Sequence, residues 1–278
     1  MRGNDISTII RPFLKWAGNK FRLITAIQDR LPSGQRLIEP FMGSGAVFLN
    51  TKYPYYLLND INPDLIFLYK TLQKSGKKFI SEVKALFTPE SNTEKHYYSL
   101  RDRFNQLEPC AERSALFIYL NRHCYNGLCR YNSQGQFNVP FGLYKKPYCP
   151  EEEMLIFSGK SKRAEFVCQD FKSIIKASGI GDVIYCDPPY LPLSQTAYFT
   201  NYCGNYFTYE QQTDLATLAE NTAKRGIPIL LSNHDTPVSR KLYHRAKIHS
   251  FPVRRSISCQ GNNRLPAQEL LALFEKGS

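Results

Sequence analysis

The apolar positions along the first third of the chain follow two different periods. "FRLITAIQDRL" (21–31) has the spacing of an amphipathic helix and stops at Pro32, while "QRLIEPF" (35–41) and "YPYYLLND" (53–60) are short apolar runs typical of buried strands. Between these runs lies "FMGSGAVFLN" (41–50), a glycine turn that leads into a short helix. This order of strand, turn, helix and strand predicts the opening unit of a doubly wound, mostly parallel sheet.

The strand pattern is interrupted after residue 61 and resumes at Glu151. Residues 61–124 have the pattern of successive helices, of which the first two are predicted at 62–73 and 77–87. Residues 125–150, rich in Gly, Asn, Pro and aromatic side chains, predict loops around one hairpin with its turn near Gln134 and Gly135. From Glu151 onward helices, the last of them predicted at 236–246, alternate with strands, which are predicted at 165–170, 182–187, 227–233, 247–258 and 269–274. We therefore predict an α/β fold with one discontinuous domain, residues 1–61 and 151–278, and an inserted helical and hairpin subdomain, residues 62–150.

Length and composition narrow the class of protein. The chain of 278 residues is 42% hydrophobic, which is enough to bury a sizeable core. It has no apolar run of the ~20 residues that a membrane helix needs, and "MRGNDISTII" has no apolar signal core, so we expect a cytoplasmic protein without a membrane partner. We also expect a monomer. None of its eight cysteines has the spacing of a zinc site or a C-x-x-C pair. The sequence accordingly implies neither a metal nor a disulfide.

The net charge of +12 favours a polyanionic partner, and the charge is unevenly distributed. Residues 113–150 contain no acidic residue but five Lys or Arg and eight Tyr or Phe, and residues 236–268 contain no acidic residue but seven Lys or Arg. A solvated basic face would explain the charge but not the aromatic residues. We interpret the two tracts as a nucleic-acid surface that combines phosphate contacts with base stacking.

The glycine turn in "EPFMGSG" (39–45) allows backbone amides to approach a ligand closely. Gly43 and Gly45 form the turn, Glu39 ends the preceding strand, and Asp60 follows the next strand, where an acidic side chain can bind ribose hydroxyls. The third glycine of the dinucleotide motif is missing, which disfavours a dinucleotide enzyme. The spacing favours a nucleoside-type cofactor over a turn that serves packing alone.

A second motif, "VIYCDPPY" (183–190), ends an apolar strand on two prolines, which cannot continue a sheet ladder. Asp187 falls at the carboxyl end of that strand, the usual location of ligands in such sheets. Pro188 has no amide hydrogen, so Asp187 and the Pro188 carbonyl can accept both hydrogens of an exocyclic amine while Tyr190 stacks on its ring. The motif predicts a site that positions an aromatic amine for attack on an electrophile, with no metal or covalent nucleophile.

Eight segments, in this order, resemble the Dam family of DNA adenine methyltransferases: "FLKWAGNK", "EPFMGSGAVFLN", "NDIN", "YLNRHCYNGLCRYNSQGQFNVPFG", "YKKPY", "YCDPPY", "SNHDT" and "VRRSIS". The resemblance extends over nearly the whole chain. It implies a Rossmann-like methyltransferase fold with a target-recognition insert. It also implies methyl transfer from S-adenosylmethionine to the exocyclic amine of a flipped adenine in double-stranded DNA, usually within GATC.

The resemblance implies roles for individual residues. Those implied to contact the cofactor are Trp16, Lys20, Glu39, Phe41, Gly43, Gly45, Asp60 and Asp187. Those implied to clamp the adenine are Asp187, Pro188 and Tyr190. In the insert, the implied DNA contacts are the intercalating Tyr125, the phosphate neighbour Asn126, the base readers Leu128 and Arg130, and the later residues Pro140 and Tyr144.

The sequence departs from the family in two places and leaves alternatives open. Leu143 stands where many relatives carry a basic residue, which implies one phosphate contact fewer, and residues 259–268 lack a lysine pair common in relatives. The alternatives are an amino-methyltransferase acting on cytosine or on RNA, and a relative that binds DNA without catalysis. Cytosine enzymes of this type usually carry serine at the position of Asp187, and the catalytic and cofactor set is intact. The sequence therefore favours adenine methylation.

Overall fold

The computed structural model describes residues 9–190, 207–253 and 267–277. Its helices are α1 (Ile24–Gln28), α2 (Ala46–Asn50), α3 (Pro63–Ala85), α4 (Glu94–Gln106), α5 (Ala111–His123), α6 (Glu151–Ser161), α7 (Phe171–Lys176), α8 (Tyr209–Lys224) and α9 (Pro237–Leu242). Its strands are β1 (Arg36–Glu39), β2 (Tyr55–Asn59), β3 (Ala164–Val167), β4 (Asp182–Cys186), β5 (Ile229–His234), β6 (Lys247–Val253) and β7 (Ala267–Phe274). The predicted end of a strand at residue 258 and the basic residues Arg254, Arg255 and Arg264 lie outside the described ranges. Within those ranges no helix is long and apolar enough to cross a membrane.

The strands form a seven-stranded sheet in the order β3-β2-β1-β4-β5-β7-β6. β1 is parallel to β2 and β4, and β4 is parallel to β5, whereas β7 is antiparallel to both β5 and β6. All five residues of β4 are buried, as expected for a central parallel strand covered on both faces. The predicted α/β, mostly parallel sheet is confirmed, and an antiparallel pair of strands completes one edge.

Packing divides the chain into two compact units that do not follow the predicted functional division. The helical unit comprises Met1–Gln28, Met42–Lys52 and Asn62–Cys168, and the sheet unit comprises Asp29–Phe41, Tyr53–Ile61 and Gln169–Ser278. The division into a catalytic domain (1–61 and 151–278) and a recognition insert (62–150) concerns ligand binding rather than packing, and it stays a prediction.

An aromatic cluster around Phe157 of α6 forms part of the core of the helical unit. The Phe157 ring stacks on Tyr69 with 4.7 Å between centroids and meets the edges of Phe13 and Phe48 at 5.2 and 5.4 Å. These rings come from the N-terminal segment, α2 and α3, so one contact set joins segments that are distant in sequence. The Tyr69 hydroxyl also donates to the Gly43 carbonyl at 2.7 Å. The core thereby fixes the glycine turn.

One predicted helix end was wrong, whereas the predicted division of the first long helical stretch is present. The helices expected at 62–73 and 77–87 lie on the two sides of a kink at Gly76 (φ 47°, ψ −122°), within the range given for α3. A glycine tolerates this conformation, so the helix direction changes without a loop. The helix expected at 236–246 is shorter and ends at Leu242, because the chain forms a turn between Tyr243 and Ala246 before β6 begins.

The hairpin of the insert is present, but several aromatic residues of the insert are buried in the core. Tyr131 and Phe137 are bridged across a turn at residues 133–135, as the sequence predicts. Of the eight aromatic residues in the first acid-free tract, Phe117, Tyr119 and Phe137 are fully buried, while Tyr125 and Tyr148 are exposed. The interpretation of this tract as a row of stacking side chains was therefore wrong for the buried rings, because their apolar area is used in packing.

His123, the last residue of α5, gives the fold a titratable group in an apolar setting. It is 1% exposed, its ring stacks on Tyr119 with 3.9 Å between centroids, and its Nδ1 lies 2.8 Å from the Tyr119 carbonyl oxygen. Burial lowers the pKa of His123 to about 4 from an ordinary value near 6.5. The ring is therefore neutral in the folded protein at neutral pH.

We predict that His123 makes the free energy of unfolding fall as the pH is lowered from about 6.5 to about 4. In this window the unfolded chain takes up a proton that the folded chain does not, which costs up to about 3 kcal/mol of stability. Above pH 6.5 neither the folded nor the unfolded chain takes up this proton, so the free energy of unfolding is not reduced. Urea unfolding at several pH values should show a smaller pH dependence in His123→Asn, and an equal dependence in both proteins would contradict the prediction.

Candidate functional site

The parallel strands of the sheet unit place three of the predicted acidic residues at one edge. Glu39 ends β1, Asp60 follows β2 and Asp187 follows β4, and the register puts Glu39 opposite Leu58. Because the carboxyl ends of parallel strands share an edge, their side chains are available to one ligand crevice. Glu39 is 2% exposed, and the other two are half-buried. This acidic edge stands in contrast to the strongly positive net charge of the chain.

Asn59 holds the loops that carry the cofactor candidates of this unit. Its buried amide donates to the Pro40 and Gln169 carbonyls at 2.8 and 3.0 Å and accepts from the Gln169 amide at 2.9 Å. Pro40 precedes Phe41, whose ring packs against Phe171 at 5.3 Å. Asn59 thus joins the ends of β1 and β2 to the start of the α7 segment.

The carboxylate of Asp187 is oriented by the neighbouring strand. Ser232 of β5 donates to Asp187 Oδ1 at 2.9 Å, and the Ser232 oxygen also lies 3.1 Å from the Tyr185 hydroxyl. Ser232 is fully buried, and its hydroxyl oxygen also lies 3.3 Å from the Cys186 carbonyl oxygen, a longer contact than the one to Asp187. Cys186, which precedes Asp187, is also fully buried, and burial raises the pKa of its thiol. Cys186 is therefore a strand residue rather than a nucleophile.

The two prolines are held by a buried amide network. Gln212 of α8 donates to the Pro189 carbonyl at 2.8 Å and accepts from Asn233 and Tyr243 at 3.2 and 3.1 Å. Within the described ranges no group donates to the Pro188 carbonyl. The network fixes the loop through Pro189 and leaves the preceding carbonyl as an acceptor.

Tyr190 is fixed at both its ring and its hydroxyl. Its ring lies edge-on to His234 with 4.6 Å between centroids, and its hydroxyl donates to Glu269 Oε2 at 3.1 Å. Burial, together with the carboxylates of Asp187 and Glu269, raises the pKa of Tyr190 well above its ordinary value. The phenol stays protonated, and the ring is held in a defined orientation beside Asp187.

In the helical unit, the structure brings together two of the segments predicted to bind a cofactor, the one with Trp16 and the one with Gly43. Gly43 has φ 48°, and a Cβ on it would lie 2.9 Å from Trp16 Nε1, so only glycine lets the turn lie against the indole. Gly45, at φ 72°, precedes α2 as its N-cap. Lys20 is 6% exposed and donates from Nζ to the Gly18 carbonyl at 2.6 Å. Its ammonium is therefore not a solvated surface charge.

The insert presents a short loop with unusual backbone geometry. Tyr125 is 55% exposed, and its amide donates to the Pro140 carbonyl at 2.8 Å, which brings two predicted DNA contacts together. Asn126 (φ 54°) and Gly127 (φ 64°) follow in the left-handed region, and Asn126 is the one non-glycine residue with this geometry among those described. The result is an exposed aromatic and an exposed amide side by side.

Arg130 is held in place while most of its donors stay available. Its Nε donates to Asn138 Oδ1 at 2.8 Å and one terminal nitrogen donates to the Asn138 carbonyl at 3.2 Å. A guanidinium has five N–H donors, so three have no partner among the residues that the structure describes. Arg130 is exposed. Its hydrogen bonds to Asn138 already restrict the side chain, so Arg130 loses less conformational entropy on binding a partner than an unrestrained arginine would.

Of the other predicted DNA contacts, Leu128 lies on the same loop, and Pro140 and Tyr144 follow the hairpin. Leu128 and Tyr144 are half-buried and Pro140 is exposed. The Lys15 ammonium lies 3.9 Å from the centre of the Tyr144 ring. Leu143, at the position where relatives carry a basic residue, is 96% exposed.

Comparison with known proteins gives the family. A model of the D12 class of N6 adenine-specific DNA methyltransferases matches residues 16–257. The chain belongs to this family. It is 50% identical over 267 residues to the DNA adenine methylase of Escherichia coli K12, with 96% of each chain covered. It is 51% identical over 265 residues to that of Vibrio cholerae serotype O1, with 95% of this chain and 96% of the relative covered.

Four residues that support the site were missed by sequence reasoning. Asn59, Ser232, Gln212 and Glu269 hold the strand ends and the "DPPY" loop, but no role was predicted for them. Polar residues within otherwise apolar strands, as in "ILLSNH" of β5, were the available signal. A buried polar residue in a central strand needs a partner, and the partner of Ser232 is Asp187, a predicted catalytic residue.

We predict that Ser232→Ala lowers the rate of methyl transfer to adenine in DNA by about ten- to a hundredfold. The substitution removes a buried hydrogen bond to a charged carboxylate, an interaction worth roughly 1.5–3 kcal/mol. Ser161→Ala is a suitable control, since Ser161 is equally buried but donates to the Ser158 carbonyl in α6. Single-turnover assays on both folded variants measure the effect, and equal rates would show that Ser232 does not orient Asp187.

Proposed function

We propose that the protein transfers a methyl group from S-adenosylmethionine to the exocyclic amine of a flipped adenine within GATC in double-stranded DNA. The observation that carries the proposal is the arrangement of Asp187, the Pro188 carbonyl and Tyr190 at the carboxyl end of β4. Family membership supports the reaction class, and about 50% identity to bacterial DNA adenine methylases over nearly the whole chain supports GATC as target. We further propose that it acts as a monomer in the bacterial cytoplasm.

The residues present fit the cofactor. Glu39 and Asp60 at the strand ends are suited to accept hydrogen bonds from ribose hydroxyls and amines, and the Gly43 turn allows close backbone approach. The proposed contacts are Trp16, Lys20, Glu39, Phe41, Gly43, Gly45, Asp60 and Asp187. S-adenosylmethionine supplies, when bound, an electrophilic methyl group. No metal is part of the proposal.

The chain's own residues then act on the target amine. An adenine amine is a weak nucleophile because its lone pair is conjugated with the ring. Asp187 and the Pro188 carbonyl accept hydrogen bonds from its two N–H groups. These hydrogen bonds orient the lone pair and stabilise the positive charge that develops on nitrogen. Tyr190, held by Glu269 and His234, offers a ring face for the flipped base.

The insert is proposed to recognise the duplex. Tyr125 intercalates where the adenine leaves the stack, Asn126 contacts phosphate, and Leu128 and Arg130 read base edges. The exposure of Tyr125, Asn126 and Arg130 supports these roles. Pro140 and Tyr144 complete the loop, and the exposed Lys145 and Lys146 add positive charge beside it.

We predict that expression in cells lacking adenine methylation makes their DNA resistant to an endonuclease that cuts only unmethylated GATC. The same DNA should become sensitive to one that cuts only methylated GATC. Asp187→Ala should abolish both changes, because the amine loses its charged acceptor, while DNA binding without cofactor stays measurable. Nucleoside mass spectrometry serves as the check on the alternatives: N4-methylcytosine, or methyladenine in RNA alone, would overturn the proposal.

We predict that Arg130→Ala relaxes sequence choice by about 1–3 kcal/mol, which is the usual worth of a bidentate contact to guanine. Arg103→Ala is the control variant. It removes the same charge from α4, where Arg103 forms a salt bridge with Glu112 at 2.7 Å. In Arg130→Ala, the methylation rates on GATC and on singly altered sites should become similar. In Arg103→Ala, the rate on GATC should remain higher than the rates on the altered sites. Unchanged discrimination in Arg130→Ala would argue against base reading by this side chain.

A further inference from the structure

Two irregular segments of the helical unit meet at one buried amide. Asn121 lies in the last turn of α5 and is 2% exposed. Its Oδ1 accepts from the Lys15 amide at 2.9 Å, and its Nδ2 donates to the Lys15 carbonyl at 2.8 Å and to the Gly127 carbonyl at 3.2 Å. One side chain therefore holds both the segment that carries Trp16 and the loop that carries Asn126.

A steric contact joins the same two segments. Gly127 has φ 64°, and a Cβ on it would lie 2.4 Å from Lys15 Cδ and 2.5 Å from Lys15 Cβ. The stem of Lys15 therefore lies directly on the Gly127 backbone. Lys15 Cβ is fixed to the main chain and cannot rotate away, so a side chain at Gly127 would displace the backbone next to Trp16.

We propose that Asn121 is a positioning residue that keeps the Trp16 segment and the 125–130 loop in register, so that a disturbance of the DNA loop weakens cofactor binding. The inference rests on the proposed function, since it takes Trp16 as a cofactor contact. Both N–H bonds of the Asn121 amide are in use. The amide cannot follow a shift of one segment without leaving a buried polar group of the other unpaired.

Two similar amides provide controls because each contacts one segment alone. Asn50 binds the amide and carbonyl of Ile10 at 2.8 and 2.9 Å, further up the N-terminal segment. Asn105 binds the amide and carbonyl of Phe137 at 2.8 and 3.1 Å, on the far side of the hairpin. Neither amide is bonded to both Lys15 and the 125–130 loop.

The sharpest test places the same substitution at two glycines of the insert. Gly127→Ala and Gly135→Ala both put alanine at positive φ, but nothing lies within 4 Å of a Cβ at Gly135. We expect Gly127→Ala to bind S-adenosylmethionine about tenfold more weakly in the absence of DNA, and Gly135→Ala to bind it as the unaltered protein does. Titration calorimetry of the full chain gives these dissociation constants. Equal affinity in both variants would overturn the inference, and so would an equal loss in both.

A second pair of variants tests the amide itself. Asn121→Ala should weaken binding of S-adenosylmethionine and of a GATC duplex by about tenfold each, whereas Asn50→Ala should lower the melting temperature without changing either affinity. If Asn50→Ala also bound S-adenosylmethionine and the duplex more weakly, general destabilisation would explain the effect of Asn121→Ala. That result would overturn the inference. If Asn121→Ala does not fold, the glycine pair decides. An unaltered protein that fails to bind S-adenosylmethionine would overturn the proposed function as well, whereas normal binding with no effect of Asn121 would overturn the inference alone.

Discussion

The structure depends on a simple constraint: backbone polar groups in segments without regular structure still need hydrogen-bond partners when they are buried. Four asparagines meet this need in the same way, each bonding both the amide and the carbonyl of one residue: Asn50 with Ile10, Asn59 with Gln169, Asn105 with Phe137 and Asn121 with Lys15. Each pair of hydrogen bonds resembles the pair that two residues exchange in a β-sheet, with an asparagine side chain in place of one of the two backbones. Irregular segments that carry predicted ligand contacts can therefore be as well defined as strands.

At the edge of the sheet, hydrogen bonds between neighbouring elements orient the reactive groups. Asp187 follows β4, but its carboxylate is directed by Ser232 from β5, and the loop after it is fixed by Gln212 from α8. The prolines remove backbone donors from this loop, so the supporting bonds come from side chains. Such a site is organised before its ligands bind, which is the condition for electrostatic stabilisation of a developing charge.

The basic insert divides its residues between packing and recognition. Aromatic rings such as Phe117 and Tyr119 fill the core, and Arg113 is bonded to Asp64 at 2.6 Å, so these residues do not serve DNA contacts despite their place in an acid-free tract. Tyr125 and Arg130 remain exposed, and they lie on a loop held by Asn121 and Asn138. Charge alone indicated the partner, while burial decided which side chains can reach it.

The sequence by itself determined the order of strands and helices, the family and the residues of its motifs, because hydrophobic period, proline and glycine act locally. It misplaced the end of α9, where a helix stops according to tertiary packing. It could not assign Asn59, Asn121 or Ser232, since a buried polar side chain is identified by partners that lie up to 110 residues away. Only the tertiary structure decides those partners, because hydrogen bonds form between groups that folding, not sequence, makes neighbours.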